Sequence, residues 1–505
     1  MKKSIFCPVL ILLFAFQLSA QHKCGLSPET GAQIRDQIFK NRAEMRDFVR
    51  PRNTTTYVPV RFYMVAKSNG SERTSELVAL KGLCRMNENY ADQDIQFYLK
   101  EFKYLNSNSI HDNPGSNTAY NSIRNSMVYD AINIFIVANI GFDENVAAYY
   151  QGPASGPNRA DWIVSNDNFA DDFTTLTHEV GHYFSLQHPW YGWEEQAYDE
   201  AIHGNPVGFN SPAGASIKNE WVNGENCMTA GDMICDTPAD YRFDFPGPDN
   251  CTYVGNVKDP NGELISPDPT NFMNYADCTN SLYHFTPDQK AAISMSLFSS
   301  SRDYLPSELT PVLGEVTSSP TLISPQNLET VATYNSVELE WADLDNADQY
   351  YLELNKVGGG TERYILNDTK VTLTNLEPNS SYFWKVMGFN SFYTCGNTTG
   401  NRIVKTGSDT VLDTNDIPGL EEWTVRPNPV RSGSTLILLV NSNSGITVDA
   451  RLSTVTGQTI AYMPDQVLGN GTSTIEIDTY GLPAGIYLVS LQTADGLETR
   501  RVSIF

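Results

Sequence analysis

The sequence of 505 residues has little positive charge, few cysteines and few long apolar runs, and each scarcity excludes a class of protein. Lysine and arginine number 34 against 59 aspartates and glutamates, so the formal net charge is −25, and no basic run occurs. This balance excludes an electrostatic surface for nucleic acid. Beyond the first twenty residues no stretch is long and apolar enough to cross a bilayer, so no transmembrane segment is predicted for the mature protein. The length predicts two to four domains.

The start of the chain has the features of an export signal. Two lysines follow Met1, an apolar run extends from Val9 to Phe16, and small residues precede Gln21. This arrangement predicts a signal peptide over residues 1–20. The mature protein is therefore expected to pass through the periplasm and to be secreted or held at the cell surface, where disulfides form.

Seven cysteines remain once Cys7 leaves with the signal peptide. Four of them lie close together in sequence, namely Cys227, Cys235, Cys251 and Cys278. They contain no Cys-x-x-Cys pair, so we expect two disulfides rather than a structural zinc site, with three pairings open. Cys84 lies on an apolar helical stripe and is expected in the core. Cys395 falls in a later domain and is expected to be free.

Three of the seven histidines lie within eleven residues, and their spacing indicates a metal site. His178 and His182 are four residues apart, which on a helix places both imidazoles on one face with Glu179 beside them. The apolar residues of the segment form a stripe opposite the histidines that is expected to face the core: Phe173, Leu176, Val180 and Phe184. The alternative is a solvated helix face that binds nothing.

A third ligand is needed for a catalytic zinc ion, which takes three protein ligands and a water whose pKa it lowers to about 7. His188 supplies it if the chain turns after His182, because a continuous helix would carry His188 past the ion. The alternative third ligand is a downstream carboxylate, Glu195 or Asp199. Glu179 is the predicted general base, which takes the proton of the water and passes it to the leaving amine.

The rest of the first half predicts a mixed α/β layer, with three or four strands and two helices before the histidines. The alternation of Val58, Val60 and Phe62 predicts a first strand. The other predicted elements are a helix over about 75–91, strands at Ile95–Leu99, Ile132–Ile140 and Trp162–Val164, and a closing helix from Pro287 to Leu297. Together they predict a domain over residues 53–304.

Further segments make a resemblance specific: Gly231 to Pro238, Asn271 to Tyr275, and Phe285 to Gln289. His-Glu-x-x-His-x-x-x-x-x-His followed by a methionine turn is the metzincin pattern. With these segments the chain resembles the pappalysin (cytophagalysin, ulilysin-like) family over about residues 55–300. The resemblance implies a zinc endopeptidase that cleaves protein or peptide substrates.

The same resemblance implies roles for individual residues. Met273 would form the hydrophobic base beneath the zinc, and Tyr275 would point to the zinc or to the oxyanion. Calcium often binds near the site in the family, which makes Asp232 and Thr237 the expected calcium ligands.

The turn after the helix departs from the family. Metzincins have glycine where this chain has Ser185, because the helix ends there in a conformation that favours glycine. A left-handed serine costs about 1 kcal/mol, which packing around the turn can offset. The departure concerns the precision of the site and not its ligands.

A short propeptide is predicted over residues 21–52, which are polar, helix-leaning and end in Arg50-Pro51-Arg52. Cys24 lies near its start. A free thiolate there would occupy the open zinc position and keep a zymogen silent, as a cysteine switch. The alternative is an ordinary disulfide partner.

Two C-terminal segments alternate apolar and polar residues as strands of sandwich domains do. Residues 322–407 resemble a fibronectin type III domain, through Trp341 and the turn from Leu376 to Tyr382, and such modules usually space or bind. Residues 421–505 resemble the C-terminal sorting domain of the type IX secretion system, through Pro427-Asn428-Pro429 and Gly485 to Val489. That resemblance implies the type IX machinery as a partner; the alternative is one more adhesive sandwich.

The sequence thus predicts an α+β metzincin catalytic domain followed by two all-β sandwich domains. The predicted function is that of a secreted zinc endopeptidase made as a zymogen. Two alternatives stay open: an adhesin with an inactive metzincin domain, and a zinc amidase that acts on cell-wall amides.

Overall fold

The computed structural model describes residues 23–49, 54–141, 146–153, 160–243, 245, 251–276, 278, 282–409, 417–455, 458–493 and 496–505. The predicted signal peptide and the basic end of the predicted propeptide lie outside these ranges. None of the helices in the described ranges has the length and apolar character that crossing a membrane requires.

The first domain contains one sheet with helices on both sides. Its strands are β1 (Lys23–Cys24), β2 (Thr56–Ala66), β3 (Ile95–Asn106), β4 (Ile132–Val137), β5 (Val146–Gln151) and β6 (Trp162–Asn166). Its helices are α1 (Pro28–Glu44), α2 (Glu76–Tyr90), α3 (Asn108–Asp112), α4 (Asn117–Ser126), α5 (Thr175–Tyr183), α6 (Glu200–His203) and α7 (Pro287–Phe298). The strand order is β1-β5-β6-β4-β2-β3, and only β5 runs antiparallel to a neighbour, β6.

Both faces of this sheet are buried, as is usual where parallel strands predominate. Along β2, Val60 and Phe62 pack into one cluster with α2 and α5. Tyr63 and Val65 point the other way, into a second cluster beside α4. The alternation in the sequence marked only the first of these faces, and the sheet has more strands than the three or four predicted.

The long connection from α5 to α7 has little regular structure, and two disulfides tie it together. Cys227 bonds to Cys235 and Cys251 bonds to Cys278, so the expectation of two disulfides in this cluster is confirmed. Helix α7 then begins at a capping box, in which Thr286 and Gln289 each accept a hydrogen bond from the backbone of the other.

A sandwich domain follows. Its strands are β7 (Leu322–Ser324), β8 (Glu329–Thr333), β9 (Val337–Trp341), β10 (Gln349–Lys356), β11 (Thr361–Leu366), β12 (Lys370–Leu373), β13 (Ser381–Phe389) and β14 (Arg402–Asp409). One sheet has the order β11-β10-β13-β14-β8 and the other β12-β9-β7. Trp341 of one sheet and Trp384 of the other share the core between them.

A second sandwich domain ends the chain. Its strands are β15 (Leu420–Arg426), β16 (Thr435–Ser442), β17 (Ile446–Thr454), β18 (Thr459–Leu468), β19 (Gly471–Asp478), β20 (Gly485–Gln492) and β21 (Leu497–Ile504). The sheets β15-β16-β19 and β18-β17-β20-β21 enclose a hydrophobic core of their own.

Two expectations about cysteines were wrong. Cys84, expected to be a simple core residue, and Cys395, expected to be free, form a disulfide across 311 residues. Cys84 is buried, but it lies on the side of α2 that faces the first sandwich domain. Sequence spacing carries no information about a contact at this separation.

Candidate metal centre

Helix α5 carries His178, Glu179 and His182, and the turn that follows it brings in His188. Ser185 has a φ of 70°, the left-handed conformation expected there. Its hydroxyl lies 3.3 Å from the hydroxyl of Ser296, and the amide of Leu186 donates to the carbonyl of Gly181 at 2.9 Å. The chain therefore reverses within three residues and returns His188 to the face that carries the other two histidines.

The three imidazoles converge through the same ring nitrogen. The Nε2 atom of His188 lies 3.2 Å from that of His182 and 3.3 Å from that of His178. Two ligands bound at roughly 2.0–2.1 Å to one tetrahedral zinc ion lie about 3.3 Å apart, so the spacing fits a single zinc.

Backbone carbonyls orient two of these rings. Nδ1 of His178 lies 2.8 Å from the carbonyl oxygen of Phe272, and Nδ1 of His182 lies 2.8 Å from that of Leu186. Because a carbonyl only accepts, each Nδ1 carries the proton and each Nε2 presents its lone pair. His188 instead stacks on Trp190, with ring centres 4.9 Å apart.

Burial shifts the pKa values of the histidines and of Glu179 in opposite directions. It lowers the pKa of His178 to about 4, and the pKa values of His182 and His188 fall well below the usual value, with the neighbouring imidazoles adding to the effect. It raises the pKa of Glu179 to about 8. Neutral imidazole is the form that binds zinc.

Cys24 completes the cluster from the N-terminal segment. Its sulfur and one nitrogen from each of the three histidines lie within 4.8 Å of one another. Its thiol also lies 3.6 Å from Oε2 of Glu179. Among the described cysteines it is the only one without a disulfide, which overturns the alternative that it is an ordinary disulfide partner.

Pairing of β1 with β5 holds Cys24 in this position. Cys24 lies opposite Ala148 in a parallel pair, and the next amide, that of Gly25, donates to the carbonyl of Ala148 at 2.8 Å. Deeper in the segment, the side-chain amide of Gln187 donates to the carbonyl of Gly31. Because this segment covers them, the histidines are buried.

Met273 and Tyr275 flank the cluster from below and from the side. A Cβ atom at Gly181 would lie 2.4 Å from Sδ of Met273, so the methionine packs directly beneath the helix that carries the histidines. The hydroxyl of Tyr275 donates to the carbonyl of Cys24 at 3.0 Å, and its ring centre lies 5.0 Å from that of His188.

The alternative third ligands do not reach the cluster. Glu195 is exposed, and Asp199 is an exposed N-cap whose carboxylate accepts from the amide of Ala201 at 2.8 Å.

The apolar stripe predicted for the helix is present except for Phe173, which precedes the helix and is 41% exposed.

The expected calcium ligands Asp232 and Thr237 lie together at a separate buried site. Asp232 is fully buried and accepts hydrogen bonds from the hydroxyl of Thr237, at 2.9 and 3.0 Å. Sequence reasoning missed Glu220, whose buried Oε2 has no hydrogen-bond partner. Burial raises the pKa of both carboxyl groups, and the neighbouring Asp232 raises that of Glu220 further.

Sequence reasoning also missed an ion pair beneath the end of α5. Arg302 and Asp161 are both buried and paired, and the guanidinium donates to the carbonyl of Tyr183 at 3.0 Å. A cation at a helix C-terminus is favourable. The two residues are 141 apart in sequence, so no local pattern could have indicated their contact.

Comparisons with known proteins assign the C-terminal domain and find relatives for the rest. Residues 424–504 match the family model of the secretion system C-terminal sorting domain, which confirms the resemblance expected there. The chain is 24% identical over 324 residues to an extracellular metalloprotease of Pyricularia oryzae; the match covers 60% of this chain and 97% of that protein. An extracellular metalloprotease of Sordaria macrospora is 32% identical over 152 residues, which are 27% of this chain and 51% of that relative.

Solved structures add little. The FN1–FN3 domains of chicken CNTN1 are 13% identical, with a TM-score of 0.16, over 38% of this chain and 68% of that one. A likeness this weak carries no argument, and the description of the sandwich domains depends on their strands and cores alone.

Proposed function

We propose that the protein is a secreted zinc endopeptidase of the metzincin type, made as a zymogen. The observation that carries the proposal is the convergence of three neutral Nε2 atoms at the spacing of zinc ligands, with Glu179 beside them and Cys24 at the fourth position. The names of the two metalloprotease relatives agree with it.

His178, His182 and His188 would hold the zinc. When bound, zinc supplies a water of lowered pKa and polarises the carbonyl of the scissile bond. Glu179 acts as the general base: it takes the proton of the attacking water and delivers it to the leaving amine. The hydroxyl of Tyr275, released from the carbonyl of Cys24, donates to the oxyanion that develops on the substrate.

The edge of β5 offers a place for the substrate backbone. Within the described sheet, β5 is paired with β6 on one side and only with the two-residue β1 on the other. Removal of β1 exposes the edge of β5 with which it pairs, including the carbonyl of Ala148, and an extended peptide can pair with such an edge. The segment that blocks the metal position thus also blocks the substrate position.

Cys24 is proposed as the inhibitory ligand. Its sulfur would take the position that the catalytic water needs, since a zinc ion with four protein ligands has no open site. Cleavage after the basic residues 50–52 and departure of the segment would open both positions.

Asp232 and Thr237 are proposed as calcium ligands together with Glu220. The support is the unpaired Oε2 of Glu220 and the burial of two carboxylates side by side. A hard divalent cation with oxygen ligands would neutralise them. A thermal transition that rises in calcium, and does not rise in a Glu220→Gln variant, would support this assignment.

We propose that the protein acts outside the cell, which the sorting domain and the predicted export signal support. We propose that the type IX machinery recognises residues 421–505, and that the peptidase is released or retained at the surface. Peptide substrates are favoured over cell-wall amides by the edge of β5 that departure of β1 would expose, because such an edge suits an extended backbone.

The test measures casein hydrolysis by zinc-loaded protein, intact and after limited trypsin cleavage of the N-terminal segment. We expect activity chiefly in the cleaved form. The matched variant Glu179→Gln keeps all zinc ligands and should bind zinc equally but lose about 10³-fold in kcat.

Three results would contradict the proposal. Failure to bind zinc would refute the metal centre. Stoichiometric zinc without hydrolysis of any peptide would favour the adhesin. Hydrolysis of peptidoglycan amides and not of peptides would favour the amidase.

A further inference from the structure

Where the first sandwich domain meets the first domain, strands β10 and β13 have buried residues on both faces of their sheet. Along β10, Tyr350 and Leu352 point into the core of the sandwich, whereas Tyr351 between them belongs to the hydrophobic cluster of the first domain. Met387 and Phe389, at the end of β13, are fully buried in that same first-domain cluster. One outer face of the sandwich therefore completes the core of its neighbour.

The loop after β13 extends this contact to β2 and β3. The amide of Leu99 donates to the carbonyl of Ser391 at 2.7 Å, and the side chain of Gln96 donates to the carbonyl of Phe392 at 3.0 Å. The ring of Phe392 stacks on Tyr98, with centres 5.0 Å apart, and meets the edge of Tyr57 at 5.4 Å. These contacts satisfy backbone groups of β3, the last strand in the described order of the sheet.

Helix α2 is held by the sandwich at two points. Ser75 caps its N-terminus, and the hydroxyl of Ser75 lies 3.2 Å from that of Tyr351. Further along the helix, Cys84 is bonded to Cys395 of the sandwich. Both connections oppose rotation or sliding of α2.

In turn, α2 packs against α5, the helix of the histidines. Asn89 donates to the hydroxyl of Thr177 at 2.8 Å, and the hydroxyl of Tyr90 donates to the carbonyl of the same residue at 3.2 Å. A Cβ atom at Gly82 would lie 2.3 Å from the carbonyl oxygen of Ala170 and 2.7 Å from the side chain of Leu176, so the two segments touch without spare room. Thr177 immediately precedes His178.

We infer that the first sandwich domain is a positioning element of the metal centre and not a tethered binding module. It fixes α2, and α2 fixes α5 and the histidines that α5 carries. The consequence for catalysis rests on the proposed function, but the mechanical coupling does not.

The experiment uses the full chain as the wild type and as four variants. A Cys84→Ala/Cys395→Ala double variant removes the crosslink without leaving a lone thiol. Phe392→Ala keeps the crosslink and removes the aromatic contact, and Phe392→Tyr restores the ring. Tyr480→Ala, at an 82% exposed position of the last domain, is the matched control.

Hydrogen exchange of residues 76–90 and 175–183 is measured in each form, together with kcat and KM on a peptide after trypsin cleavage. We expect exchange in both helices to rise tenfold or more in the double variant and in Phe392→Ala, with a lower kcat at similar KM. Phe392→Tyr and the control should match the wild type.

Unchanged exchange in residues 175–183 in both disrupted variants would overturn the inference, whatever their activity. Because Phe392→Ala retains the disulfide, a folding failure of the double variant would leave a second variant to decide. If the wild type showed no peptidase activity, the exchange result would still test the coupling, so the two proposals fail separately.

Discussion

Two parts of the chain are attached to the first domain, and they are attached differently. The N-terminal segment buries Leu26, Ile34 and Ile38, and the first sandwich domain buries Tyr351, Met387 and Phe389, so their apolar contacts are comparable. The sandwich is also crosslinked by a disulfide, whereas the free thiol of the N-terminal segment lies among the histidines. If the N-terminal segment is an inhibitory propeptide, hydrolysis of one peptide bond frees it to dissociate, whereas the disulfide keeps the sandwich attached covalently.

If the N-terminal attachment is the inhibitory one, Cys24→Ala should have the largest effect. Loss of the sulfur leaves the fourth ligand position to water, so activity of the uncleaved chain should rise about 100-fold, a free-energy change of about 2.7 kcal/mol. Casein hydrolysis by uncleaved protein measures it. Lys40→Ala, on the exposed side of α1, is the control and should leave the intact chain silent. A silent Cys24→Ala protein that binds zinc would mean that β1 alone blocks the site.

A smaller effect is expected when the rate of zinc loss to a chelator is compared between the intact and the cleaved chain. Four protein ligands hold an ion more firmly than three, so the intact chain should lose zinc to a chelator about tenfold more slowly than the cleaved chain. The rate of zinc appearance on a colorimetric chelator measures it. Equal rates in both forms would show that Cys24 does not ligate the ion.

At the permanent attachment, Tyr351→Phe should lower the free energy of unfolding by about 1 kcal/mol. The change deletes a hydroxyl that contacts Ser75 and donates to Glu353, but it keeps the buried ring. Urea unfolding measures it, with Tyr480→Phe as the exposed control. A loss confined to a separate transition of the sandwich would mean that the two domains unfold independently.

The smallest effect concerns pH. Glu76, beside Ser75 on α2, is buried, and desolvation raises the pKa of its carboxyl group. A raised pKa in the folded state means that the stability contribution is fully present below the unfolded value and is lost as the pH rises through the folded value. Between pH 5 and pH 7 the wild type should therefore lose stability relative to Glu76→Gln, in which no charge can form. A constant difference between the two proteins across this range would contradict the assignment.

The convergence of the three histidines could be predicted from sequence because they lie close together in the chain. The spacing of His178, His182 and His188 requires only one helix and one turn, and the left-handed turn at Ser185 followed from its position. The placement of Cys24 beside the histidines agrees with the cysteine-switch hypothesis, whose inhibitory role stays a prediction.

The attachment of the sandwich could not be predicted in the same way. Residues 84 and 395 are joined by tertiary packing alone, and no periodicity reports a contact across 311 residues. One signal was present in β13, where strict alternation gives way to the consecutive buried residues Val386, Met387, Gly388 and Phe389. A run of consecutive apolar residues indicates a strand covered on both faces.

The disulfide between Cys84 and Cys395 also has a consequence for biogenesis. Synthesis adds 311 residues after Cys84 before its partner exists, so helix α2 cannot be secured until nearly four-fifths of the polypeptide has been made and has reached an oxidising compartment. The crosslink that holds α2 of the first domain therefore forms only after most of the chain has been made. A chain that stops short of Cys395 keeps an unpaired thiol on α2 and an uncovered apolar surface, which marks it as incomplete to any quality-control system that binds such features.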